Sequence, residues 1–115
     1  MTAGVISLDA YRQLQETAGT DFVDELVDTF LAEAPGMLAE LRTARADGDA
    51  VRFRRAAHSL KSNGLTFGAT AFAARARALE MDGLSGDTRR DDGALDALET
   101  AFAEAAAALR ELRGD

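Results

Sequence analysis

Residues 50–69 read AVRFRRAAHSLKSNGLTFGA, and residues 70–81, which follow directly, read TAFAARARALEM. Neither stretch alternates apolar and polar residues as a half-buried strand would, and neither contains proline. In the first, Phe53, Leu60 and Phe67 recur seven residues apart, with Ala56 and Gly64 on the same side at about 100° per residue. In the second, Phe72, Ala76 and Leu79 keep helical spacing. Both therefore read as helices, one from just after Gly48-Asp49 to about Phe67, the other from Thr70 to about Met81. The connection Gly68-Ala69-Thr70 is too short for anything but a reversal, so the two helices should be adjacent and antiparallel.

The rest of the chain extends the same pattern. Toward the N-terminus, a helix opening at Thr20 carries an apolar stripe of Val23, Val27, Phe30, Ala34, Leu38 and Leu41 and runs toward Gly48. Pro35 interrupts it, and a proline inside a helix removes a hydrogen bond and crowds the preceding turn, so a kink near residues 31–35 is expected, with a full break as the alternative. Before it, Ser7 is placed to cap a short helix from Leu8 to about Gln15, ending before Gly19. Toward the C-terminus, GLSGDTRRDDG at 83–93 reads as the longest loop. Leu95, Leu98, Phe102, Ala105, Leu109 and Leu112 then form a narrow seam on a last helix. The expected fold is all-α, one domain over residues 1–115: an antiparallel up-down four-helix bundle with a short extra N-terminal helix.

Composition narrows the functional classes. There is no cysteine, which removes disulfides, thiolate metal sites and cysteine nucleophiles. No apolar run approaches the roughly 18 residues of a membrane span, and MTAGVISLDAYRQ lacks a basic segment followed by an apolar one. Neither anchor nor export signal is expected, and cytoplasm is the default location. A net charge of −7 argues against nucleic-acid binding through phosphate neutralisation. The charge is unevenly spread: Val51 to Leu79 holds Arg52, Arg54, Arg55, Lys61, Arg75 and Arg77 and no acid, while all 20 acidic residues lie outside.

The only histidine, His58, sits on that acid-free helix about 200° from Leu60, so it points away from the apolar face. Arg54, Arg55, Lys61, Ser62 and Leu65 share its side. A lone histidine is commonly an inert surface or core residue, but a solvent-facing one among cations is placed where an anion would be tolerated. Lys61, the only lysine among 13 basic residues, follows one turn later on the same face. Its compact ammonium could neutralise a phosphoryl group on the imidazole, and a solvated lysine stem is the plain alternative. If the hairpin turns near Gly68 and Ala69, residues whose numbers sum to about 138 lie at one height, which pairs His58 with Glu80 and Lys61 with Arg77. A carboxylate at Glu80 could then accept from the imidazole Nδ1–H and leave Nε2 free as a nucleophile; without the hairpin, Glu80 is an ordinary exposed acid.

Enzymatic readings fare poorly. There is no glycine-rich phosphate loop followed by Lys-Ser or Lys-Thr and no dinucleotide fingerprint, so the chain is not expected to make phosphohistidine from ATP. Ser62 and His58 lie mid-helix without an evident oxyanion hole, and one histidine without spaced carboxylates supplies too few metal ligands.

The stretch Ala57-His58-Ser59-Leu60-Lys61-Ser62-Asn63-Gly64-Leu65-Thr66-Phe67-Gly68-Ala69 resembles the signature of bacterial histidine-containing phosphotransfer domains: Ala-His-x-Leu-Lys, a small residue, then Gly-Ala. The resemblance implies that His58 accepts the phosphoryl group, that Lys61 is its charge partner, and that Gly68 is the small residue by which lysine and partner approach. Glu80 occupies the position of the family's ring-binding Glu or Gln. Ser62 departs from the glycine that many members carry after the lysine. The resemblance further implies a monomeric phosphocarrier with no cofactor or metal of its own. It would exchange phosphoryl groups with the aspartate of a response-regulator receiver domain, which holds Mg²⁺, in two-component signalling fed by a sensor or hybrid histidine kinase. Arg54, Arg55, Lys61, Ser62, Leu65 and Gly68 are the expected partner-binding residues. A different class stays open: a helical adaptor that binds a receiver or kinase and is never phosphorylated.

Overall fold

Helices with long apolar stripes are stable only when the stripes face one another, and the chain resolves this by closing four of them into a ring. The computed structural model describes residues 5–84 and 93–113. It contains α1 (Leu8–Ala18), α2 (Thr20–Asp47), α3 (Ala50–Thr66), α4 (Thr70–Asp82) and α5 (Gly93–Leu112), and no strand among the described residues. Most of the loop expected at 83–93 lies outside the described residues, as do the first four residues on which the absence of an export signal was partly read.

Side-chain caps open two of the helices. Ser7 Oγ accepts the Ala10 N–H at 3.3 Å at the start of α1, and Asp49 Oδ1 accepts the Arg52 N–H at 3.1 Å at the start of α3. Each supplies a partner for an N–H that the helix itself leaves unsatisfied. α1 continues past the expected Gln15 to Ala18 before Gly19 ends it. α2 crosses Pro35 unbroken, so the full-break alternative is excluded. Pro35 and Gly36 face outward, while Ala34 and Leu38 on either side are buried, and this packing holds the helix through the lost hydrogen bond. At 1.5 Å per residue its 28 residues span about 42 Å. That sets the 41 Å long axis of the molecule.

Neighbours run α2 to α3, α3 to α4, α4 to α5, and α5 back to α2, with α1 laid against α2. Cross-helix pairs give the directions. Arg52 reaches Glu40, and Asn63 approaches Met37. Arg42 binds Asp96 and Glu99 at 2.7 and 2.8 Å while Arg113 binds Asp28 at 2.9 Å. In each case rising numbers on one helix meet falling numbers on the next, so the bundle is antiparallel. Phe30 is the centre of the core, 5.4 Å from Phe67, 6.0 Å from Phe72 and 5.6 Å from Phe102 between ring centroids. The whole predicted stripe of α2 is buried; on α5, Phe102 and Leu112 are only partly so.

Two glycines fix how α3 joins its surroundings. At Gly64 a Cβ would lie 2.8 Å from Phe72 Cδ2, so the ring of α4 packs directly on the α3 backbone. Gly68, at φ +76°, turns the chain between α3 and α4 in the left-handed region that side chains disfavour. Its carbonyl accepts the Ser7 N–H at 2.8 Å, which ties the start of α1 to the hairpin.

Candidate functional site

The close packing of α3 on α4 puts His58 beside Glu80. Nδ1 of His58 lies 2.7 Å from Glu80 Oε2. An ionised carboxylate only accepts, so the ring proton sits on Nδ1, and in the neutral ring the lone pair is left on Nε2. Half of this geometry is the predicted one. The other half is new: Glu80 Oε1 binds Lys61 Nζ, also at 2.7 Å, so one carboxylate holds both side chains. The Lys61 ammonium, and after it the His58 N–H, hold the Glu80 carboxyl below its ordinary value of 4.5. The three differ in exposure: the His58 side chain is 58 % exposed, against 22 % for Lys61 and 25 % for Glu80. The imidazole stands out from the surface on a base that is largely covered.

The surrounding cations fall into two groups. Arg52 is occupied by Glu40 and Asp47, and Lys61 by Glu80. Arg54, Arg55, Arg75 and Arg77 are exposed and have no carboxylate partner among the described residues. Arg54 extends over the end of α4, where its guanidinium lies against Gly83. Arg55 lines a groove of about 410 Å³ between α2 and α3, together with Glu33, Met37 and Ser59. Ser62 is exposed, and its carbonyl accepts from Thr66 Oγ1 at 3.0 Å. Leu65 is exposed as well.

Gly68 does not belong with them. It is buried at the far end of α3, and a Cβ there would lie 3.0 Å from both Ala10 Cβ and the Ser7 carbonyl oxygen. What approaches Gly68 is the start of α1, so its expected place on the partner-binding face is corrected to a structural one.

Reading the sequence set Lys61 level with Arg77 but missed the cleft that lies there. Lys61 and Leu65 share a cleft with Thr70, Ala73, Ala74 and Arg77 of α4. The height rule that joined His58 to Glu80 also brings Leu65 level with Ala73, but two alanines carry no signal of their own. Among the described residues no three His, Cys, Asp or Glu side chains cluster as a metal site requires, and no helix is long and apolar enough to cross a membrane.

The family model for the Hpt domain matches residues 25–113. The chain therefore belongs to the histidine phosphotransfer (Hpt) domain family, whose members are phosphocarriers in phosphorelay signalling and work with receiver domains and kinases. The matched region contains His58, Lys61 and Glu80. No curated protein and no solved structure matches the chain.

Proposed function

We propose that His58 is the phosphoryl acceptor of this Hpt domain, exchanging the group with the aspartate of a response-regulator receiver domain. The observation that carries this reading is the Glu80 carboxylate bound at once to His58 Nδ1 and Lys61 Nζ, each at 2.7 Å, beneath an exposed imidazole. The Nε2 lone pair would form the N–P bond as the O–P bond of the partner's aspartyl phosphate breaks, returning its electron pair to the partner's carboxylate. The ring gains positive charge in this step, and the adjacent Glu80 carboxylate offsets it. Lys61 spends one of its three ammonium donors on Glu80 and keeps others for the phosphoryl oxygens. Loose, in-line phosphoryl transfer asks mainly for position and charge neutralisation, so these three side chains suffice for this half of the reaction. Mg²⁺ and the acidic pocket belong to the receiver, and a sensor or hybrid kinase feeds the relay.

The test is transfer from radiolabelled phospho-receivers. Wild-type protein should acquire an acid-labile, base-stable label that His58→Gln lacks. The variant should keep its stability within about 1 kcal/mol, because the side chain is largely exposed and leaves no cavity. An acid-stable label persisting in His58→Gln would point to a hydroxyl acceptor and overturn the phosphohistidine reading, whereas wild-type protein that binds the receiver and takes no label would be the phosphorylation-independent adaptor.

A further inference from the structure

Next to His58 the seam between α3 and α4 opens into a cleft of about 210 Å³ lined by Lys61, Leu65, Thr70, Ala73, Ala74 and Arg77. Its accessible lining is almost wholly apolar, because Ala73 and Ala74 stop short of filling it. Leu65 stands 57 % exposed, so the chain does not close the space with its own largest neighbouring side chain. An apolar cavity of roughly 150 Å³ already admits benzene, so one aliphatic or aromatic side chain fits here. The two cations at the cleft are not equivalent. Lys61 is bound by Glu80, while Arg77 is exposed and has no hydrogen-bond or ion-pair partner among the described residues. The nearest acid along α4, Glu80, is already bound to Lys61 and His58.

We propose that this cleft is a socket for the receiver partner. It takes one leucine-, methionine- or phenylalanine-sized side chain from a surface helix of the receiver, while a carboxylate about one turn away on that helix pairs with Arg77. The inference builds on the phosphocarrier reading and adds to it the place and chemistry of docking. An apolar anchor in a pocket supplies holding energy, and a charge at its edge supplies orientation and rate of encounter. Lys61 belongs to both the cleft and the His58 site, so the cleft begins one helical turn from the imidazole and runs on to Leu65, a further turn away.

Two variants test the socket: Ala74→Trp fills it from an exposed position, and Arg77→Glu reverses its free charge. Each is labelled by two donors, namely the phosphorylated receiver domain that loads wild type fastest and phosphoramidate, which needs no docking. The ratio of receiver-driven to phosphoramidate-driven rate should fall at least tenfold in each variant. A receiver with one surface Asp or Glu changed to Arg should recover part of the loss in Arg77→Glu. Both variants are checked for helical content, and either suffices if the other does not fold. Unchanged ratios in folded variants would overturn the socket while leaving the phosphocarrier reading standing. A wild-type protein that phosphoramidate labels but no phospho-receiver does would overturn the receiver as partner, and the socket with it.

Discussion

Gly68→Ala separates two roles for one residue. If Gly68 lay on the docking face, a methyl group there would impede the partner and leave the fold alone. Its burial under α1 calls for the opposite. A non-glycine residue in the left-handed region costs about 1–2 kcal/mol, and φ at Gly68 is +76°. The new Cβ would also sit 3.0 Å from Ala10 Cβ and from the Ser7 carbonyl oxygen, and the latter is backbone that cannot rotate away. Overpacking of this kind costs about 1–3 kcal/mol. The smaller entropy of the unfolded alanine chain returns about 0.4–1 kcal/mol. A net loss of about 2–4 kcal/mol follows, which for a domain of this size lowers the thermal midpoint by roughly 8–15 °C. Urea and thermal unfolding measure it, and phosphoramidate labelling at low temperature reports whether the folded fraction keeps a competent His58. An unfolding midpoint that stays put, together with lost transfer from the receiver, would refute the burial argument and return Gly68 to the docking face.

Glu80→Gln should slow phosphoramidate labelling by roughly tenfold and about as much as Lys61→Ala does, since one carboxylate seats both the ring and the ammonium. Because the folded Glu80 carboxyl is held below its ordinary 4.5, its contribution to stability is present above that value and is lost as pH falls through the lower folded one. The stability difference between wild type and Glu80→Gln, followed by urea unfolding from neutral into acid pH, should therefore hold down to about pH 4.5 and shrink below it. Arg55→Glu should slow association with a receiver and weaken its salt dependence, seen in stopped-flow binding, with stability changed by less than about 0.5 kcal/mol. Pro35→Ala, at an exposed position of an unbroken helix, should raise stability by about 1–3 kcal/mol in urea unfolding, and a loss instead would mean that α2 depends on the proline's shape.

The hairpin of α3 and α4 was legible because two helices joined by a three-residue turn have one register, and that register alone predicts which residues share a height. It puts Glu80 beside His58, as the 2.7 Å contact has it. It did not reveal that Glu80 also binds Lys61. A lysine side chain four carbons long can reach into solvent as easily as across a seam, and spacing does not choose between them. Gly68 was misplaced for a different reason. Its environment is made by Ser7 and Ala10, some sixty residues earlier, and the site of α1 on the bundle depends on long-range packing that no local pattern records. The continuity of α2 through Pro35 is likewise decided by burial of Ala34 and Leu38 in the assembled core, against the local preference of the proline.

The absent side chain at Gly64 acts as a gauge for the reaction site. Phe72 rests on bare backbone there, and this contact lies on the same pair of helices that carries the His58 to Glu80 hydrogen bond six residues away. Hydrogen bonds weaken within a few tenths of an ångström, whereas a methyl group at position 64 would collide with the ring at 2.8 Å and pry α4 outward. The reach of the carboxylate to the imidazole is thus calibrated from inside the core. A chain with His58, Lys61 and Glu80 all intact could still lose the orientation of its imidazole through one buried methyl that touches none of them.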